Sequence, residues 1–204
     1  MVKVKICGIT SLQDAAAILK LKPDALGFVF YKNSPRYITF PKAKTIIDRL
    51  PSSVKKVGVF VNDEERNIRF IAGGLKLDML QFHGSESAEF CGRFRDYRIV
   101  KALRVKDKHS LQGIKTYPVW GVMFDAYKKN FFGGTGTQFN WNLIKDIKLT
   151  GKEIFLSGGL SAGDVKAAIS LVRPDWVDVS SSVEIRPGKK DYRLVKEFIE
   201  AVRK

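Results

Sequence analysis

The chain has 204 residues, 45% of them hydrophobic, which is enough to close a core and too much for a disordered chain. Lys and Arg number 36 against 21 acids, a formal +15 that raises nucleic acid as a partner; the basic residues are scattered, though, and such a field equally steers a small anionic substrate. Neither Cys7 nor Cys91 lies in a CxxC pair, which argues against a thiolate zinc site. The opening MVKVKICGIT lacks the apolar core of a signal peptide, and no stretch approaches the roughly 20 apolar residues of a membrane span, so a cytoplasmic protein is expected.

Two kinds of segment alternate along the chain. VKVKIC (2–7) reads as a strand, and SLQDAAAILKL (11–21) as a helix capped by Ser11. DALGFVF (24–30) is followed by PKAKTIIDRL (41–50), with Pro in a first turn where its missing N–H costs nothing. KKVGVFV (55–61) precedes DEERNIRFIAGG (63–74), with acids at its start and Gly at its end. DMLQF (78–82), RIVKALR (98–104), VWGVMFD (119–125), EIFLS (153–157) and WVDVS (176–180) complete eight strands. The helices paired with them are 85–94, 106–115, 139–147, 161–172 and 190–202. Several strands are too apolar to be one-sided, as expected of parallel strands covered on both faces. Eight strand–helix units with no linker predict one compact (βα)8 barrel spanning 1–204, with eight parallel strands. The alternative is an open doubly wound sheet, which would usually show GxGxxG after its first strand; CGITSLQ is not that.

Such barrels carry their chemistry on the loops after the strands. The strand ends read Cys7, the loop after Phe30, Asn62, His83, Arg104, Asp125, Ser157-Gly158-Gly159 and Ser180-Ser181-Ser182. Glycines after strand 7 and serines after strand 8 suit a phosphate, through backbone N–H and hydroxyl donors. Cys7 and Asp125 end strands on opposite walls, where a base and an acid can work on two atoms of one substrate. An apolar setting from Met123, Phe124, Phe131 and Phe132 would help Asp125 keep a proton to donate. The plainer roles are a packing thiol for Cys7 and a helix cap for Asp125. No Lys or His stands out as a partner for Cys7. Arg36, in NSPRYITF, could clamp a carboxylate, or be a solvated surface residue; Phe30, Tyr31 and Tyr37 could shape a pocket for a flat ring. FFGGTGTQFNW (131–141), with Gly133, Gly134, Thr135 and Gly136, has the composition of a lid or of a surface loop. Cys91 falls on a helix and reads as structural.

The order KICGIT, GFVF, SPRYI, VGVFVN, LQFHG, FD with GGTGTQFNW, LSGGL, and VDVSSSVE with PGKKD resembles the phosphoribosylanthranilate isomerase family from residue 3 to about 191. The resemblance implies an Amadori rearrangement of a phosphoribosyl anthranilate, with no cofactor and no metal. Cys7 then falls on the base that removes the ribose C2 proton, and Asp125 on the acid that protonates the ring oxygen. Arg36 falls on the anthranilate carboxylate site, and Gly158, Gly159, Ser180, Ser181 and Ser182 on the phosphate site; His83 and Asp178 match further pocket positions. Ser182 stands where the family usually has Gly, so either the backbone accepts a side chain there or the loop is reshaped. The competing readings are another phosphate-binding barrel isomerase or synthase of amino-acid biosynthesis, and a basic nucleic-acid binder. Oligomeric state is not legible.

Overall fold

In the computed structural model, which describes residues 1–127 and 138–204, side chains on each strand point alternately into a closed barrel and out toward a helical layer. The barrel strands are β1 (Lys3–Cys7), β2 (Ala25–Val29), β3 (Lys55–Phe60), β4 (Met79–Phe82), β5 (Arg98–Val105), β6 (Gly121–Ala126), β7 (Glu153–Leu156) and β8 (Trp176–Val179). All are parallel and follow chain order, and β8 pairs back onto β1, with Lys5 beside Asp178. The eight predicted strands all form, and the doubly wound alternative is excluded by closure.

Among the described residues six α-helices surround them: α1 (Leu12–Leu19), α2 (Phe40–Ile47), α3 (Glu65–Leu75), α4 (Ala88–Gly92), α5 (Val165–Val172) and α6 (Tyr192–Arg203). Ser11 caps α1 by accepting from the Asp14 N–H. Three helix expectations need correction. The 106–115 segment is two 3₁₀ turns, Lys108–Leu111 and Ile114–Thr116, separated by Gly113 in a left-handed conformation that an α-helix cannot contain. The 139–147 segment shortens to one 3₁₀ turn, Trp141–Leu143. Gly73 and Gly74 do not end α3; it runs to Leu75 and Lys76 takes the left-handed cap, while the Phe40 ring packs over Gly74.

The outward-facing strand residues and the helices form the main core, with Val4, Ile6, Leu26, Phe28, Phe82 and Phe124 among its fully buried members. A second, smaller cluster fills the barrel itself: Ala25, Val57, Met79, Val100, Ala102, Met123, Phe155 and Trp176. It plugs the lower interior, so whatever happens at the C-terminal ends of the strands happens above a dry floor. Both cysteines are free thiols. Among the described residues no helix is long and apolar enough to cross a membrane, and no cluster of three His, Cys, Asp or Glu side chains is placed to hold a metal ion.

Candidate active site

Above the apolar floor the interior turns polar. Cys7, at the end of β1, is buried against Val29 and Val59. Two residues earlier on the same face, Lys5 is wholly buried, its ammonium 2.7 Å from Asp178 Oδ1 on neighbouring β8. Ser157 Oγ donates to Asp178 Oδ2 at 3.3 Å. A buried ion pair adds little net stability, but removing one partner strands the other, at about 3–5 kcal/mol. Burial pushes the Cys7 thiol above its ordinary value; the Lys5 ammonium pulls it back down and the Asp178 carboxylate pushes it up. For Lys5, burial works against the charge, but Asp178 and Cys7 outweigh it, and its pKa is raised.

Across the interior, β4 and β6 deliver a connected trio. His83 Nε2 lies 2.9 Å from Asp125 Oδ2, and His83 Nδ1 lies 2.8 Å from Gln81 Nε2. With the Gln81 amide donating to Nδ1, a neutral His83 carries its proton on Nε2 and donates it to Asp125. Asp125 Oδ1 accepts from the Ala126 N–H at 2.9 Å. Both carboxylate oxygens are therefore held, and the group cannot swing away from the cleft.

Arg36 is buried rather than a surface residue, because its Nε and Nη2 donate to Glu184 at 2.7–3.1 Å. Lys190 Nζ shares that carboxylate at 2.7 Å and also reaches the Ser180 carbonyl. Burial lowers the Lys190 pKa, opposed by Glu184. Two cations on one carboxylate leave a positive surplus at this edge of the cleft.

The loops after β7 and β8 meet here as well. Gly158 has φ +89°, and a Cβ there would lie 2.6 Å from the Ala126 nitrogen and 3.1 Å from Asp125 Oδ1. Only glycine fits between the acid and the loop. Ser180 Oγ donates to the Cys7 carbonyl at 3.1 Å. Ser182 is outside the left-handed region, so its backbone accepts a side chain, and its hydroxyl bonds the Leu160 carbonyl, bridging the two loops.

Cys7, Arg36, His83, Asp125, Gly158, Gly159, Asp178, Ser180, Ser181 and Ser182 all line one cleft of about 680 Å³ including its open mouth. Gly133, Gly134, Thr135 and Gly136, with Phe131 and Phe132, lie outside the described residues. Cys91 is buried on α4, where burial pushes its thiol up to about 11. Four residues of the site escaped the sequence reading: Lys5, Gln81, Glu184 and Lys190. Lys5 and Gln81 carry a local signal, since each stands two residues before a strand-end candidate, Cys7 and His83, and shares its face; Glu184 and Lys190 carry none.

Residues 4–201 match the family described as PRAI, N-(5'phosphoribosyl)anthranilate (PRA) isomerase. The N-(5'-phosphoribosyl)anthranilate isomerase of Trichlorobacter lovleyi is 45% identical over 199 residues, covering 98% of this chain and 97% of that one. The crystal structure of phosphoribosyl anthranilate isomerase from Thermotoga maritima is similar with a TM-score of 0.93 at 40% identity, covering 100% of this chain and 99% of that one. A phosphoribosyl anthranilate isomerase solved in complex with reduced 1-(o-carboxyphenylamino)-1-deoxyribulose 5-phosphate has a TM-score of 0.90 at 39% identity, with the same coverage.

Proposed function

The chain belongs to the N-(5'-phosphoribosyl)anthranilate isomerase family and is an isomerase of tryptophan biosynthesis, and from that premise we propose that Cys7 and Asp125 carry its proton transfers. The observation that carries this reading is one cleft with a thiol and a carboxylate on opposite walls, flanked by a cationic edge and a glycine–serine rim. The substrate phosphate sits on the Gly158–Gly159 and Ser180–Ser182 loops, through backbone N–H groups and the Ser181 hydroxyl. The hydroxyls of Ser180 and Ser182 already brace Cys7 and Leu160, so they shape the rim rather than serve as free donors. The anthranilate carboxylate meets Arg36, where the positive surplus of Arg36 and Lys190 over Glu184 awaits an anion. Val29, Val59 and Tyr31 offer a wall for the ring. Fixing both ends holds the ribose between the two proton-transfer groups.

The substrate nitrogen pushes its lone pair toward C1 while Asp125 protonates the ring oxygen, and the furanose opens to a protonated Schiff base. The carboxylate left on Asp125 is stabilised by donation from the Ala126 N–H and from His83 Nε2. Cys7, as the thiolate, removes the C2 proton and gives an enolamine. That enolamine gains a proton at C1 and loses one from its 2-hydroxyl, yielding the aminoketose. The chain works as one catalytic domain over 1–204, on a small substrate bearing a phosphate and a carboxylate, in the cytoplasm.

The test is a fluorescence assay with freshly made phosphoribosylanthranilate; no turnover would sink the reading. A gel-shift series in salt covers the competing nucleic-acid reading, which requires strong, salt-sensitive binding. Burial raises the Cys7 thiol, and the base must be deprotonated, so kcat should still be rising with pH above neutrality. A kcat–pH profile checks this; a rate already flat at pH 7 would contradict it.

A further inference from the structure

A buried thiol is a poor base, because a low-dielectric surround disfavours its charged form. Something must offset that. We propose that Lys5, pinned by Asp178, is the positioning residue that favours the working thiolate form of Cys7 and offsets part of the cost of its burial. The inference rests on Cys7 being the base.

Three observations carry it. First, Lys5 and Cys7 occupy the same inward face of β1 as residues i and i+2, and both are buried. Second, they converge on one point. A Cβ built on Gly27 of β2 would lie 2.8 Å from Cys7 Sγ and 3.2 Å from Lys5 Cε. The absent side chain at Gly27 is what lets the lysine stem and the sulfur share this space. Third, the ammonium cannot leave: the 2.7 Å bond to Asp178 Oδ1 fixes it at the layer just beneath the thiol, and Ser157 holds the other oxygen of Asp178. In a dry interior a fixed cation acts on a neighbouring charge far more strongly than it would in water.

The protons balance. The Cys7 S–H bond breaks, its proton leaves to solvent through the open cleft, and Lys5 stays an ammonium throughout. When the thiolate takes the C2 proton, S–H re-forms and Lys5 with Asp178 again make a neutral pair. Asp178 has two opposed effects: it anchors the cation that favours the thiolate, and its own charge disfavours it; Lys190, arriving after β8, is a second cation that favours the thiolate, and it is the same in every variant compared below.

That opposition supplies the test. Alkylation of Cys7 by iodoacetamide, followed against pH by mass spectrometry in a Cys91→Ala background, reports thiolate formation without any substrate. Lys5→Met should move the inflection to higher pH, slowing alkylation at pH 8 by about tenfold for every pH unit the inflection rises. Asp178→Asn should move it downward, since the ammonium is then left facing the sulfur alone. A general loosening of the barrel would move both variants the same way, and that result overturns the proposal. The double variant Lys5→Met/Asp178→Asn removes both charges and guards against a single variant failing to fold. It should titrate above the wild type, and an unchanged inflection in the folded double variant also overturns the proposal. The kcat–pH profile separates this from the underlying reading. If Lys5→Met shifts the alkylation inflection but not the acid limb of kcat, the ion pair tunes the thiol and Cys7 is not the base.

Discussion

The barrel interior holds two layers built from the same strands, two residues apart. In the lower one, Met79, Met123, Phe155 and Trp176 pack as an apolar cluster whose polar contacts lie at its margins: the Trp176 indole donates to Glu153 and carries the Lys3 ammonium over its ring, and Met123 Sδ accepts from the Gln81 amide of the layer above. In the upper one, Gln81, Asp125, Ser157 and Asp178 stand one step further along β4, β6, β7 and β8, and every one is hydrogen-bonded. Moving up each of these strands by its period of two exchanges an apolar plug for a hydrogen-bonded polar set. The lower layer excludes water from below, which strengthens the electrostatics above it. The upper layer gives up apolar packing for polar contacts, and its charges are tolerable only because each is paired or hydrogen-bonded.

That division of labour predicts effects of different kinds. The largest belong to the upper layer. Cys7→Ala and Asp125→Asn should each cut kcat by about 10²–10⁴-fold, the usual contribution of a placed acid or base. Both should still bind a reduced product analogue, as calorimetry can test; retained turnover in either would break the assignment. Next comes the floor. Phe155 stacks on Trp176 at 5.0 Å, and Phe155→Ala should destabilise the fold by about 3–5 kcal/mol in urea unfolding, with kcat nearly preserved where the variant is folded. A large kcat loss in the folded variant would show that the layers are not separable. Arg36→Met removes a charge-assisted contact and should raise KM by roughly 10–100-fold while leaving kcat within a few-fold. An unchanged KM would show that Arg36 only anchors Glu184. The smallest effect is expected at Ser182→Gly, which deletes one loop-to-loop hydrogen bond. Affinity for inorganic phosphate should weaken by about 2–10-fold, and unchanged affinity would mean that the bridge to Leu160 is idle.

Much of the architecture is legible in the chain, for a physical reason. Parallel strands covered on both faces leave apolar runs, crossover helices leave periodic ones, and their alternation from 2–7 to 190–202 spells a barrel. Because the fold confines its site to strand ends, Cys7, His83, Asp125 and the two rim loops can be picked out by position alone. The short 3₁₀ turns at 108–116 and 141–143 imitate helices in the sequence, since a brief apolar period does not reveal that a turn such as Gly113 interrupts it.

What the chain order could not express is partnership. Lys5 looks like the solvent side of an alternating strand; only closure of β8 onto β1 makes that side an interior and brings Asp178 to it from 173 residues away. Arg36 reads equally well as a surface cation until Glu184 and Lys190, arriving after β8, bury it. Residue types and strand periodicity determined which groups the barrel would present at its mouth. The register of closure decided which charges meet, because a buried charge is stable only beside its complement, and complements distant in sequence are joined only by the fold.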